Sequence, residues 1–134
     1  MQNTIQIRVR YYEVDGMGYV HHSRFLQYFE MGRVELLRQG GFAYAELERR
    51  GIFFVVVKAA ITFKSPARYD EELQLTTKLV KATHVRYDHA YELRRGDTLI
   101  AEGTTTIACV GRDGQLQQIP EELRPDLRSA NGGD

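Results

Sequence analysis

The sequence predicts an α+β domain in two layers, a long helix lying on the concave side of one curved antiparallel sheet. Three features of the 134 residues carry this prediction. An alternating run opens the chain, one stretch of helical period follows it, and four long runs of period two come after. Strands that follow one another through short connections are usually antiparallel neighbours, because a parallel crossover needs many more residues.

Each element has its own signal. Ile5, Ile7, Val9 and Tyr11 alternate with Gln6, Arg8 and Arg10, which marks residues 4–12 as a half-buried strand. Asp15 to His22 (DGMGYVHH) carries two glycines and reads as a loop. From Ser23, expected as a helix N-cap, Phe25, Leu26, Phe29, Leu36 and Leu37 fall on one broad face of a helix about 16 residues long. Gly40-Gly41 ends it, and a short second helix is expected over Ala43 to Arg50.

Beyond Ile52 the period is two. Val55, Val57, Ala59, Ile61 and Phe63 are expected on one strand face, and Leu73, Leu75, Thr77 and Leu79 on the next. Val85, Tyr87, His89, Tyr91 and Leu93 form a third set; Leu99, Ala101, Gly103, Thr105 and Ile107 complete the series. Breaks fall at Ser65-Pro66, between Ala82 and His84, and at Gly96-Asp97, a good hairpin turn. One domain is expected over residues 1–128, with a flexible tail at 129–134 (SANGGD). The outer sheet face and the edge strands need covering, so a homo-oligomer, dimer or tetramer, is expected.

Composition narrows the function. Hydrophobic residues make up 43% of the chain, enough for a core without disulfides or metal, and Cys109 has no cysteine to pair with. Lys and Arg number 18 against 18 Asp and Glu, so the basic excess of a nucleic-acid binder is missing. The longest strictly apolar run, Ile52 to Val57, falls far short of the roughly 20 residues that span a bilayer. The opening MQNTIQIRVR lacks the apolar stretch of a signal peptide, and the cytoplasm is the expected location.

The densest functional signal is Tyr12 to Arg33, YEVDGMGYVHHSRFLQYFEMGR. Asp15 follows the first strand and precedes a loop that runs into a helix N-terminus, where unpaired N–H groups and partial positive charge accumulate. A carbonyl held there would have its developing oxyanion stabilised, with a carboxylate at hand to attack it or to activate water. Gly18 lets backbone approach a ligand closely. Tyr12, Tyr19 and Phe25 stand around the loop as candidate substrate contacts. On residues alone, a loop aspartate before a helix is more often a turn or capping residue.

The same segment resembles the signature of the 4-hydroxybenzoyl-CoA thioesterase-like branch of the hot-dog superfamily. That signature runs Tyr, two residues, Asp, two residues, Gly, then Val-Tyr-His, and later Tyr-Phe-Glu with Arg three residues on. Tyr12, Asp15, Gly18, Val20, His22, Tyr28, Phe29, Glu30 and Arg33 fall in register with it. Ile61 to Leu75 (ITFKSPARYDEELQL) and Gly96 to Arg124 (GDTLIAEGTTTIACVGRDGQLQQIPEELR) resemble later parts of the family. The resemblance implies a long central helix wrapped by a curved five- to six-stranded antiparallel sheet. It implies an acyl-CoA thioester hydrolase working without a cofactor, its site at a dimer interface. It also implies Asp15 as nucleophile or general base and the backbone N–H at His22 as the group that polarises the carbonyl. His21, Ser23-Arg24 and Tyr69 depart from the family pattern and bear on substrate identity.

Other readings compete at several positions. His21 and His22 beside Asp15 hint at a metal, but adjacent loop histidines rarely face one ion and no further ligands stand at the usual spacings, so none is expected. Glu30 is expected partly buried and paired with Arg33 at i+3, mainly as structure. Lys64, Ser65 and Arg68, in a turn expected to combine basic charge with free loop amides, are the best candidates for coenzyme A phosphates; Lys58, Arg86, Arg94 and Arg95 are weaker. Cys109 reads as an apolar filler. A hydratase or dehydratase using His21 or His22, and an acyl-CoA binding module without turnover, remain the rival functions.

Overall fold

The computed structural model describes residues 1–124, so the proposed domain end at 128 and the tail at 129–134 lie outside the described residues. The alternating N-terminal run forms β1 (Gln2–Arg8). It stops short of residue 12 because the Glu13 carboxylate accepts the Arg10 N–H at 2.7 Å and turns Tyr11–Glu13 into a 3-10 turn. The helical stretch forms α1 (Arg24–Gln39), and Gly41, with φ +97°, carries the chain out of it. A short α2 (Tyr44–Arg49) follows.

Four strands complete the chain: β2 (Phe53–Phe63), β3 (Glu72–Ala82), β4 (Arg86–Arg95) and β5 (Thr98–Val110). The sheet is five-stranded and antiparallel, in the order β1-β3-β4-β5-β2. Short connections make β3, β4 and β5 neighbours as expected, but β2 is not beside β3. It pairs instead with β5 at the far edge, from Phe53 opposite Val110 to Phe63 opposite Ala101. The connection after β2 lies across the β4–β5 hairpin, with the Lys64 and Ser65 N–H groups both donating to the Ile100 carbonyl.

The face expected for β2 also needs correction. A bulge between Val56 and Lys58 shifts the register by one residue. Ala59, Ile61 and Phe63 pair with the inward-facing Thr105, Gly103 and Ala101, whereas before the bulge Val56, not Val55, pairs with inward-facing Ile107. A one-residue slip moves every earlier side chain to the other face.

Helix α1 lies across the concave face. It buries Phe25, Tyr28, Phe29, Gly32, Arg33 and Leu36, while Leu26, expected inside, is exposed. Phe29 stacks on Tyr91 of β4 with ring centroids 4.1 Å apart. The core divides along the helix. Phe25, Tyr28 and Phe29 meet Leu73, Leu75 and Leu93 at one end; Leu36 meets Leu79, Tyr87 and Ile107 at the other. Each such side chain, fully buried, contributes roughly 1.5–3 kcal/mol. Between the halves runs a buried polar belt: Arg33, Thr77, His89 and Thr105. No helix among the described residues is long and apolar enough to cross a membrane.

Candidate active site

The loop that carries Asp15 is a small hairpin of its own. Val14 bridges Val20, and the His21 N–H donates to the Glu13 carbonyl at 2.9 Å. Inside it the Asp15 N–H donates to the Tyr19 carbonyl at 2.7 Å and the Gly18 N–H to the Asp15 carbonyl at 3.0 Å. Gly18 has φ +83°, a backbone conformation few side-chain-bearing residues adopt. The hairpin is fastened to the β2–β3 connection, where the Val20 N–H donates to the Ala67 carbonyl at 2.8 Å and Tyr19 bridges Arg68.

These restraints aim the Asp15 carboxylate. Its Oδ1 accepts the N–H groups of Met17 at 2.9 Å and Tyr19 at 3.2 Å. Oδ2 has no hydrogen-bond partner, and the carboxylate no ion pair, among the described residues. One oxygen is thus held by backbone while the other is left open. The residue is exposed, on the wall of an open cleft of about 400 Å³ between the hairpin, the start of α1 and the β2–β3 connection.

The cleft brings together Asp15, Tyr19, His22, Phe25, Lys64 and Ser65 from the sequence-derived set. The His22 N–H has no acceptor among the described residues, and the His22 ring lies 4.1 Å from that of His21. Ser23 occupies the expected cap position without capping: it has helical dihedrals, and its hydroxyl is engaged with His21 Nδ1 at 2.8 Å. Phe25 is buried, with its ring edge-on to Phe63 at 5.1 Å. Arg68 sits at the rim with its guanidinium over the Tyr19 ring, 4.9 Å from the centroid.

Two candidates fall elsewhere. Tyr12 is exposed beneath the Arg24 guanidinium, at 5.5 Å, and is not part of the cleft wall. Gly18 shapes the hairpin without lining the cleft. The amides expected free in the Lys64–Arg68 turn are mostly used: those of Lys64 and Ser65 close the sheet end, and that of Arg68 donates to Glu71 at 2.7 Å. Arg95 braces the same turn through the Pro66 carbonyl and Glu71, and Arg94 pairs with Glu92. Glu30 is exposed rather than partly buried, 4.0 Å from Arg33, and the buried partner is Arg33 alone. No three His, Cys, Asp or Glu side chains converge as metal ligands do among the described residues.

Sequence reasoning passed over Val20, Phe63 and Ala67, which complete the apolar wall. Each carries only an ordinary core signal. It also passed over Glu13, which is buried and accepts the Tyr28 hydroxyl at 2.8 Å, tying α1 to the segment just before Asp15. Burial above all, and then this bond to a carboxylate, push the Tyr28 hydroxyl pKa upward.

The thioesterase-like superfamily matches residues 9–127. The chain belongs to that superfamily. The chain is similar to an acyl-CoA thioesterase, YbgC, of Haemophilus influenzae, 33% identical over 123 residues that cover 88% of each chain. Among solved structures, a hypothetical protein of Thermus thermophilus is 37% identical with a TM-score of 0.87, covering 92% of this chain and 93% of its own. The DHNA-CoA thioesterase of Staphylococcus aureus is 27% identical with a TM-score of 0.84, covering 87% of this chain and 80% of its own. The expected hot-dog architecture is borne out, with five strands, and the thioesterase-like chain is an enzyme of the thioester-hydrolase class.

Proposed function

We propose that this thioesterase-like protein hydrolyses an acyl-CoA to free acid and coenzyme A, with Asp15 as its working carboxylate. The observation that carries the reading is the pairing, within one cleft, of a carboxylate with one open oxygen and a helix entry whose His22 N–H lacks an acceptor. Asp15 Oδ2 attacks the thioester carbon itself or takes a proton from the water that does; both routes need the same unencumbered oxygen. The His22 N–H, at the positive end of α1, donates to the oxygen as it gains charge. The carbon–sulfur bond then breaks and coenzyme A leaves as a thiol. Its sulfur takes the proton held by Asp15 on the general-base route, or one from water on the nucleophilic route. On the nucleophilic route a second water hydrolyses the acyl–Asp15 anhydride to free acid and restores the carboxylate. No cofactor enters this balance.

The acyl group lies against Phe25 and Phe63, while Lys64 and Arg68 meet the coenzyme A phosphates through their side chains, since the turn amides are largely occupied. A homodimer or tetramer fits the exposed edge: along β2, Val55, Val56 and Val57 are 43%, 50% and 52% exposed. A long apolar edge strand left unpaired invites a second copy.

The test is Asp15→Asn. The amide oxygen can still accept the Met17 and Tyr19 N–H groups, so the loop is retained. Thiol release from a panel of acyl-CoA substrates is expected to fall by roughly 10²–10⁴-fold at unchanged melting temperature. A well-folded variant that releases coenzyme A at the wild-type rate ends the assignment.

A further inference from the structure

At the far end of α1 from Asp15 lies a second cavity, of about 130 Å³ and partly open. Its walls are mainly apolar: Leu36, Leu37, Phe54, Leu79 and Ile107 contribute, with Phe42 and Leu123 near the rim. Two members of the buried polar belt also line it, Arg33 at 6% and His89 at 5% exposure.

Those two groups are incompletely satisfied. Arg33 donates Nη1 to the Tyr91 hydroxyl at 3.1 Å, and that hydroxyl is shared with Thr105 at 2.6 Å. Arg33 Nε and His89 Nδ1 are buried and have no partner among the described residues. The only carboxylate near the guanidinium among those residues is exposed Glu30, at 4.0 Å. Glu122, at the cavity mouth, is engaged by Arg50 at 2.8 Å instead. A buried cation without a close counter-charge is costly, and burial strengthens its attraction for any anion that reaches it.

We propose that this cavity is a second binding site, taking a small monocarboxylic acid whose carboxylate pairs with Arg33 and whose apolar body fills the space beneath α1. The size fits a benzene-sized or short aliphatic body, since an apolar cavity of about 150 Å³ is known to accept benzene. A bare inorganic anion would satisfy the guanidinium and leave the apolar wall empty. A neutral hydrocarbon would do the reverse. Tyr44, beside the guanidinium, and the neutral His89 ring give the carboxylate further polar neighbours. Acids released by thioester hydrolysis are of this class, but occupancy is read without turnover and so stands apart from the Asp15 reaction.

The test is titration of the full-length protein with benzoate and with hexanoate, followed by amide and methyl NMR shifts. Sulfate and benzyl alcohol are the controls. Shifts are expected at Leu36, Leu79 and Ile107, and Arg33→Met is expected to weaken binding about tenfold or more, with Arg33→Lys in between. The spectrum of each variant reports its own fold. Shifts confined to His22, Phe25 and Phe63, equal binding by Arg33→Met, equal binding of either control, or no shifts at millimolar acid would each overturn the proposal.

Discussion

The hydroxyl of Tyr28, on the second turn of α1, donates to Glu13 Oε1 at 2.8 Å, and both residues are buried. Glu13 also takes the Arg10 N–H, so one carboxylate fixes the 3-10 turn ahead of Asp15 to the helix behind it. Removing the Tyr28 donor leaves the buried Glu13 Oε1 with the Arg10 N–H alone. Tyr28→Phe is expected to lower stability by about 1–3 kcal/mol in urea unfolding. It is also expected to reduce kcat more than it raises KM, because the spacing between Asp15 and the helix entry loosens while the outer contacts remain.

Gly103 leaves no room for a side chain between the β2 backbone and the Phe29 ring of α1. A Cβ there would stand 2.5 Å from the Ala60 carbonyl oxygen and 2.8 Å from the Phe29 ring. The backbone on one side and a ring already stacked on Tyr91 on the other have little room to yield. Gly103→Ala is expected to cost about 1–3 kcal/mol, read as a lower denaturation midpoint with an unchanged slope.

His89 predicts how stability depends on pH. Its burial, with help from the Arg33 charge, pushes its pKa from the usual 6.5 down to about 3. Between those values the unfolded chain takes up a proton that the folded chain refuses. The stabilising effect is therefore complete above pH 6.5 and is lost as pH falls through the window, at up to about 1.4 kcal/mol per unit. Urea unfolding at pH 7 and pH 5 should show wild type losing about 2 kcal/mol more than His89→Gln. Equal losses in the two proteins would remove His89 as the cause.

The free edge of β2 makes a prediction about assembly. Val57 sits at the bulge and is half exposed, so a charge there disturbs the isolated fold little. Val57→Lys is expected to shift the sedimentation profile toward monomer at micromolar concentration. Thioester hydrolysis should fall with it, because the same strand ends in Phe63 on the cleft wall. An unchanged oligomer would place the subunit contact on another surface.

Much of this molecule was legible in its residues. Periodicity located the long helix, the short one and four later strands, because each period reports which face meets the core. It did not reveal that β2 pairs with β5, since strand order is decided by long-range pairing. Nor did it show the bulge near Val57: in Phe53-Phe54-Val55-Val56-Val57 every residue is apolar, so no alternation exists to betray a slip. In the cleft, Asp15, Tyr19, His22, Phe25, Lys64 and Ser65 were found from loop chemistry and family resemblance. Phe63 carries only a strand-face signal, and Glu13, one residue beyond the expected strand, carries none. Nothing in sequence distinguishes a carboxylate that points inward until its partner on another element is known.

The grip on Asp15 comes from main-chain N–H groups of Met17 and Tyr19. Every residue except proline can offer such a group, whatever its side chain. Neighbours at positions such as 17 and 21 are therefore free to change in size or polarity while the carboxylate keeps its aim. A lineage built on this hairpin can retune what it recognises by ordinary substitution, without rebuilding the part that must stay still.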